Sequence, residues 1–214
     1  MNINRSILLH NCFITSIAHA IMVNVFPLIA YEQSWDKYTF SKHHNEGSRT
    51  SITFESGYCV VATRNEQYCN LLSESELQKI LKSFPPTVRD TAIKDTLQYL
   101  LDEDSSGTIV PSVTSIFWCD EFLYHYSQYG KHQLSQDLLL LSDIIQSHND
   151  LLDDCIDSYE MDKNAISLLK DLLKEKNYDF SKKVFLSDSQ KKIFPGGNIC
   201  QECEESLREI EIYI

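Results

Sequence analysis

Glycine and proline are scarce, with 6 and 5 copies in 214 residues. So few breakers argue against a long disordered linker and against an all-β sandwich with many turns. No glycine-rich phosphate loop occurs, which speaks against nucleotide binding by the known loops. There is no G-x-S-x-G, and Ser34-Trp35-Asp36-Lys37, which fits S-x-x-K, lacks the companion motifs of serine chemistry. A D-x-D-x-D-G calcium loop is missing. No basic stripe exists, which disfavours nucleic acid as a partner. Long uninterrupted apolar runs are missing too. The stretch Ile7 to Ala30 follows Arg5 and is strongly apolar, and Ala18-His19-Ala20 imitates a small-x-small cleavage site. However, His10, Asn11, His19 and Asn24 interrupt it and Pro27 cuts it. Spanning a membrane takes roughly 20 mostly apolar residues. The segment therefore reads as a buried helix and strand, with a signal peptide as the lesser alternative.

What is present in quantity is apolar mass and acid. Apolar and aromatic residues make up 43% of the chain, enough for a proper core in one large domain or two small, closely packed ones. The formal charge is −12. Between Asp95 and Asp162 stand 14 acidic residues and one base, Lys131; the remainder holds 17 acids and 18 bases. The excess thus belongs to one stretch. A one-signed surface repels nucleic acid and anionic membrane and attracts basic partners; the plainer explanation is a solvated face that keeps the protein soluble. Seven cysteines, an odd number at mostly wide spacings, read as free thiols in a reducing cytosol.

Periodicity predicts an α+β fold: an antiparallel β-meander over 28–64 packed against several α-helices in a mainly helical part, 73–194, within a single domain. Apolar spacing predicts a helix over Ile7 to Val25. Strands are expected at Leu28 to Tyr31, around Tyr38 and Phe40, around Ile52 and Phe54, and over Tyr58 to Thr63, with turns at Asn45-Glu46-Gly47 and Glu55-Ser56-Gly57. Tyr38, Phe40, Ile52 and Phe54 are expected on the core face. Ser73 to Glu76 fits a capping box opening a helix with Leu77, Ile80, Leu81 and Phe84 inward, stopped by Pro85-Pro86. A second helix is expected from Thr87 to Leu101, with Ile93 among its inward residues. Thr108 to Phe117 favours a strand, and Trp118 to Tyr129 a helix on the sheet. Leu134 to Tyr159 shows the clearest helical period, with Asp143, Asp150, Asp153, Asp154, Asp157 and Glu160 off its apolar stripe. Ala165 to Lys174 and Ser187 to Ile193 add shorter helices, Pro195-Gly196-Gly197 a turn, and Glu209 to Ile214 a strand or a frayed helix end.

Chemistry-bearing residues are few. Cys200-Gln201-Glu202-Cys203 is a lone C-x-x-C, and a structural zinc site wants a second pair. His43-His44 beside Glu46 reads as a polar hairpin tip, and His148 as a core histidine. Cys119 would need His125 or His132 to act as a nucleophile; a buried structural thiol is the simpler reading. No catalytic residue, metal or cofactor is assigned. Asp150, Asp154 and Asp157 form a self-repelling row on one helix face. That leaves a solvated face or a docking face for a basic protein.

Ala30-Tyr31-Glu32-Gln33-Ser34-Trp35-Asp36, followed by Gly47-Ser48-Arg49 and Ile52-Thr53-Phe54, resembles the hairpin region of bacterial immunity proteins that guard cells against polymorphic toxins. The likeness covers about one sixth of the chain. It implies a cytoplasmic protein that binds and blocks a cognate toxin domain. Such toxins are often basic nucleases, which would suit an acidic antitoxin. The expected function is therefore binding of a basic protein, with no nucleic acid or membrane partner, through Asp150, Asp153, Asp154, Asp157, Asp120 and Glu121, with Tyr124 and Tyr159 as aromatic anchors. Two alternatives stand beside it: an enzyme using Cys119, His125, Trp35 or Asp36, and a structural or regulatory protein that self-associates through its apolar N-terminal segment.

Overall fold

The computed structural model describes residues 3–44, 46–68, 70–127, 138–177 and 179–214. The fold is α+β, with a six-stranded antiparallel sheet and several helices. The chain forms two compact units. One comprises Met1–Leu8 and Tyr38–Ser142, the other Leu9–Lys37 and Asp143–Ile214.

Within the first unit the strands run in the order β2 (Thr39–His43), β3 (Arg49–Glu55), β4 (Tyr58–Arg64), β7 (Ser115–Asp120), β8 (Tyr124–His125); β1 (Gln33–Asp36) belongs to the second unit. β5 (Leu101–Glu103) and β6 (Ile109–Pro111) form a separate hairpin. Gly47 and Gly57 take φ of 85° and 88° at the two meander turns, a region that costs glycine nothing. Register explains the burial. Phe40, Ile52, Val61 and Phe117 lie opposite one another on four successive strands, all fully buried on one face. Side chains alternate across a strand, so Val60, Ala62 and Ile116 point to the other face. There they pack with Leu77, Ile80 and Leu81 of α2 (Glu74–Ser83) and Val88 and Ala92 of α3 (Pro86–Lys94). Each of the Val, Leu and Ile side chains among them contributes about 1.5–3 kcal/mol when fully buried. The Ser73–Glu76 capping box that opens α2 is complete.

Three expectations change in this unit. Tyr38 is 60% exposed, because it sits before β2 in a turn where Lys37 takes φ 55°. The helix expected over Thr87–Leu101 stops at Lys94 and continues as a 3-10 turn, Thr96–Leu100. Gln98 donates to the Ile93 carbonyl at that break (2.8 Å), and Ile93 itself is exposed. The aromatic run from Trp118 is not helical: it completes β7 and turns into β8, so Trp118 lies opposite His125. Aromatic residues suit a pleated surface at least as well as a helix, and a short local turn decided between them.

The second unit is mainly helical. Most of α1 (Arg5–Val23) belongs to it. α1 is long and apolar enough to cross a membrane by length and composition, with a mean hydropathy of 1.6, but 78% of that window is buried. Polar residues on α1 and just beyond its end have specific work. Asn24 donates to the Pro195 carbonyl (2.7 Å) and accepts from the Cys200 amide (2.7 Å), fixing the Pro195–Gly197 turn. Asn11 donates to the carbonyls of Ile144 and Gln146, each at 3.0 Å. This matters because the helix expected over Leu134–Tyr159 is broken. Residues 134–137 lie outside the described residues; beyond them run α4 (Ser142–Ile145) and α5 (His148–Ser158). Ser147 accepts from the Asp150 amide and starts α5 afresh, while Asn11 satisfies carbonyls left by the break.

The strand expected at Leu28–Tyr31 is instead a 3-10 turn, Pro27–Glu32, which Pro27 opens by fixing φ. α6 (Lys163–Lys176) buries Ala165, Leu168, Leu169 and Leu172, starts on the Asp162 cap and ends on Asn177 at φ 48°. α7 (Asp188–Lys192) carries a second capping box, Ser187 with Gln190. One helix, α8 (Gln201–Glu209), was not expected; the chain then forms β10 (Ile212–Tyr213), parallel to β9 (Val184–Phe185).

Candidate partner-binding surfaces

Asp150, Asp153, Asp154 and Asp157 all lie on α5 and all are exposed, while Leu151 and Cys155 on the same helix are buried. Asp150 accepts from the Ser147 hydroxyl (2.6 Å) and Asp154 from the Gln146 amide (2.8 Å). Among the described residues, no ion pair engages any of the four. The last turn of α5 carries no base and instead holds Asp157. Carboxylates three and four apart repel by tenths of a kcal/mol, roughly, and an acid at a helix C-terminus meets the negative end of the helix dipole. Asp150, in the first turn, is favoured by the dipole, so the small penalties fall mainly on Asp153 and Asp157, with no ion pair among the described residues to offset them.

Asp120, Glu121 and Tyr124 lie in the other unit, at the β7–β8 turn. Asp120 organises that turn. One oxygen accepts from the amides of Phe122 (2.7 Å) and Leu123 (2.9 Å), the other from His125 Nε2 (2.8 Å). The His125 hydrogen bond, then those two amides, hold the Asp120 carboxyl down to about 2. His125 stacks on Trp118 with centroids 3.9 Å apart. Glu121 is engaged by Arg5 (3.0 Å) and the Ser6 hydroxyl (2.7 Å). The turn presents Phe122 at 79%, Leu123 at 49% and Tyr126 at 41% exposure. The sequence reading missed these three apolar neighbours; the aromatic density from Trp118 onward was their only signal, and reading it as helix hid the surface. Tyr124 is half-buried and stacks on Tyr126 at 5.6 Å.

Tyr159 is not an open anchor. Its hydroxyl bonds His19 Nδ1 at 2.9 Å, and burial pushes its ionisation up. Trp35 is also a packing residue: it is buried, donates to Ser16 Oγ at 2.7 Å and lies against Phe13 and Phe180, while Asp36 is exposed.

The remaining chemical candidates separate cleanly. Cys119 lies opposite Cys59 across β4 and β7, fully buried, and the hydrogen bond with Cys59 together with burial holds its thiol up. Its neighbour Trp118 pairs with His125, so Cys119 points to the opposite face of the sheet from His125. A thiol–imidazole pair between them is excluded; His132 lies outside the described residues. Cys203 is buried and donates to the Ala20 carbonyl (3.2 Å), and Cys200 approaches the Val23 carbonyl (3.9 Å). No group of three or more metal-binding side chains gathers among the described residues. His44 contacts Thr50 Oγ1 at 3.3 Å, and His148 meets His10 edge-on at 5.4 Å.

Compared with known proteins, the chain matches no family model, no curated protein and no solved structure.

Proposed function

We propose that this protein acts by binding a basic protein partner through the acidic face of α5, as an immunity protein binds a toxin domain. One observation carries the reading: four exposed aspartates on an eleven-residue helix, with no compensating ion pair among the described residues. A row of exposed like charges with no ion pair is a face that a basic partner would neutralise. The resemblance at Ala30–Asp36 and Ile52–Phe54 adds the more specific form, a cytoplasmic inhibitor of a toxin domain. Charge would speed association and choose the partner.

The test is a pull-down from the native host with wild-type protein and with the variant Asp150→Asn/Asp153→Asn/Asp154→Asn/Asp157→Asn. A basic protein retained by the wild type and lost by the variant supports the reading. Affinity for that partner unchanged from low to high salt removes its electrostatic basis.

A second reading has its own observation: the Asp120–His125 pair at 2.8 Å beside an open cavity of about 530 Å³ that His125, Trp118 and Ser127 help to line. An imidazole held by a carboxylate can serve as a general base. All three hydrogen bonds to Asp120 are also turn-forming, which favours a structural role for it. A hydrolase screen in which His125→Gln loses an activity that the wild type has would reverse the preference.

A further inference from the structure

The first unit holds a cleft of about 580 Å³, within the range of small-molecule sites. Its floor is aliphatic: Leu72, Leu77, Leu81 and Leu97 are buried beneath it. Leu71 and Ile93 also line it and are 49% and 43% exposed. The charged part of the lining is mostly acidic. Arg64 is the lone base of the lining, and it is spent: Nε meets Glu66 at 2.6 Å and Nη1 pairs with Asp102. Arg49 joins the same Asp102 at 2.7 Å, so this four-residue cluster is electrically balanced. Glu74, Glu103 and Asp104 remain at the mouth, exposed and without an ion pair among the described residues.

An apolar floor under an acidic mouth selects for a ligand with an apolar body and one positive group. We infer that this cleft is a binding site for a small organic cation, a primary amine or guanidinium on an aliphatic or aromatic body. The body would displace water from the leucine floor, and the cation would sit among Glu74, Glu103 and Asp104, where an anion of the same shape is repelled. The site lies in the unit that does not contain α5, and it requires no protein partner.

Two isosteric probes of opposite charge test it, 4-phenylbutylamine and 4-phenylbutanoate, titrated into the full chain and followed by amide chemical shifts. The amine should bind about tenfold or more tightly than the carboxylate, with shifts centred on Leu71, Leu77, Ile93 and Leu97, and should weaken as salt is raised. Glu74→Gln/Glu103→Gln should reduce the preference for the amine while leaving the fold intact, since both side chains are exposed. Leu71→Arg, which puts a cation in the lining, should abolish binding. Equal affinity for the two probes, or shifts mapping elsewhere, would overturn the inference. So would binding of the uncharged acetyl-Phe-Leu-amide in the cleft without binding of the amine, since the cleft would then be a docking site for polypeptide. None of these readouts depends on α5, so the two readings fail separately.

Discussion

The two units reach stability by different routes. In the first, each strand from β2 to β4 pairs with its neighbour in sequence through a tight turn, and the core face is a period-two pattern readable in the chain. In the second, α1 is held to segments that follow it by well over a hundred residues, through Asn11, His19 and Asn24. The charge differs as well: 13 acidic and 9 basic residues fall in the first unit, 18 and 10 in the second. The lesson is that polar residues in an apolar helix need not mark a failed membrane span. Here they join the pieces of a discontinuous unit.

Each unit holds one of the two tryptophans, Trp118 in the first and Trp35 in the second, so the contrast can be broken directly. Phe117→Ala should cost about 3–5 kcal/mol, read as a lowered urea midpoint in the Trp118 signal of a Trp35→Phe background. An equal, coincident shift of Trp35 fluorescence in the complementary Trp118→Phe background would mean that the units unfold as one. Asn11→Ala removes the donor to two carbonyls at the α4–α5 break and should cost about 1–3 kcal/mol, with faster amide exchange in α4 and α5. No comparable loss is expected in β2–β4.

Capping offers a matched pair. Ser73→Ala in the first unit and Ser187→Ala in the second should each cost about 1 kcal/mol by thermal melting, since both remove the hydroxyl of a complete capping box. A markedly larger loss at Ser187 would mean that the second unit depends more on local helix signals than its long-range bonds suggest. The smallest expected stability change has the opposite sign. Asp153→Asn/Asp157→Asn should stabilise the free protein by a few tenths of a kcal/mol, roughly, while weakening partner binding. Stability lost on these changes would show that the carboxylates serve the fold.

Acid should loosen the β7–β8 turn. Asp120 ionises at about 2 in the folded chain, below the roughly 3.9 of an unfolded aspartate. Its stabilising contribution is thus present in full above the unfolded value and is lost as pH falls through the folded one. Amide signals of Phe122 and Leu123 should begin to lose protection below about pH 4, and Asp120→Asn should flatten that dependence.

Much of the α+β pattern was legible because it is local. The three meander strands β2 to β4, the Ser73 capping box and the inward faces of α2 and α6 follow from alternation, helical spacing and turn residues. What was not legible depended on partners distant in sequence. Nothing between Leu134 and Tyr159 announces a break at Gln146 and Ser147; the helical period continues through it, and the compensating donor is Asn11. Trp118 to Tyr129 has the aromatic content of either element, and Asp120 settled it by bonding back to the turn. For the candidate surfaces, the exposure of the four aspartates on α5 was readable from their spacing. The engagement of Tyr159 with His19 was not, nor the cleft, whose walls come from α2, the Thr96–Leu100 turn and the β5–β6 hairpin.

Asn11 and Asn24 also impose an order in time. During synthesis at about 5–20 residues per second, α1 waits for the intervening stretch of the first unit, on the order of 5–20 s, before its partners near Ile144 emerge, and longer for Pro195 and Cys200. Throughout that interval a helix with the hydropathy of a membrane span stands uncovered. The local meander can close in the meantime, whereas the second unit cannot. The order of synthesis therefore leaves the most apolar segment of the chain without its partners longest.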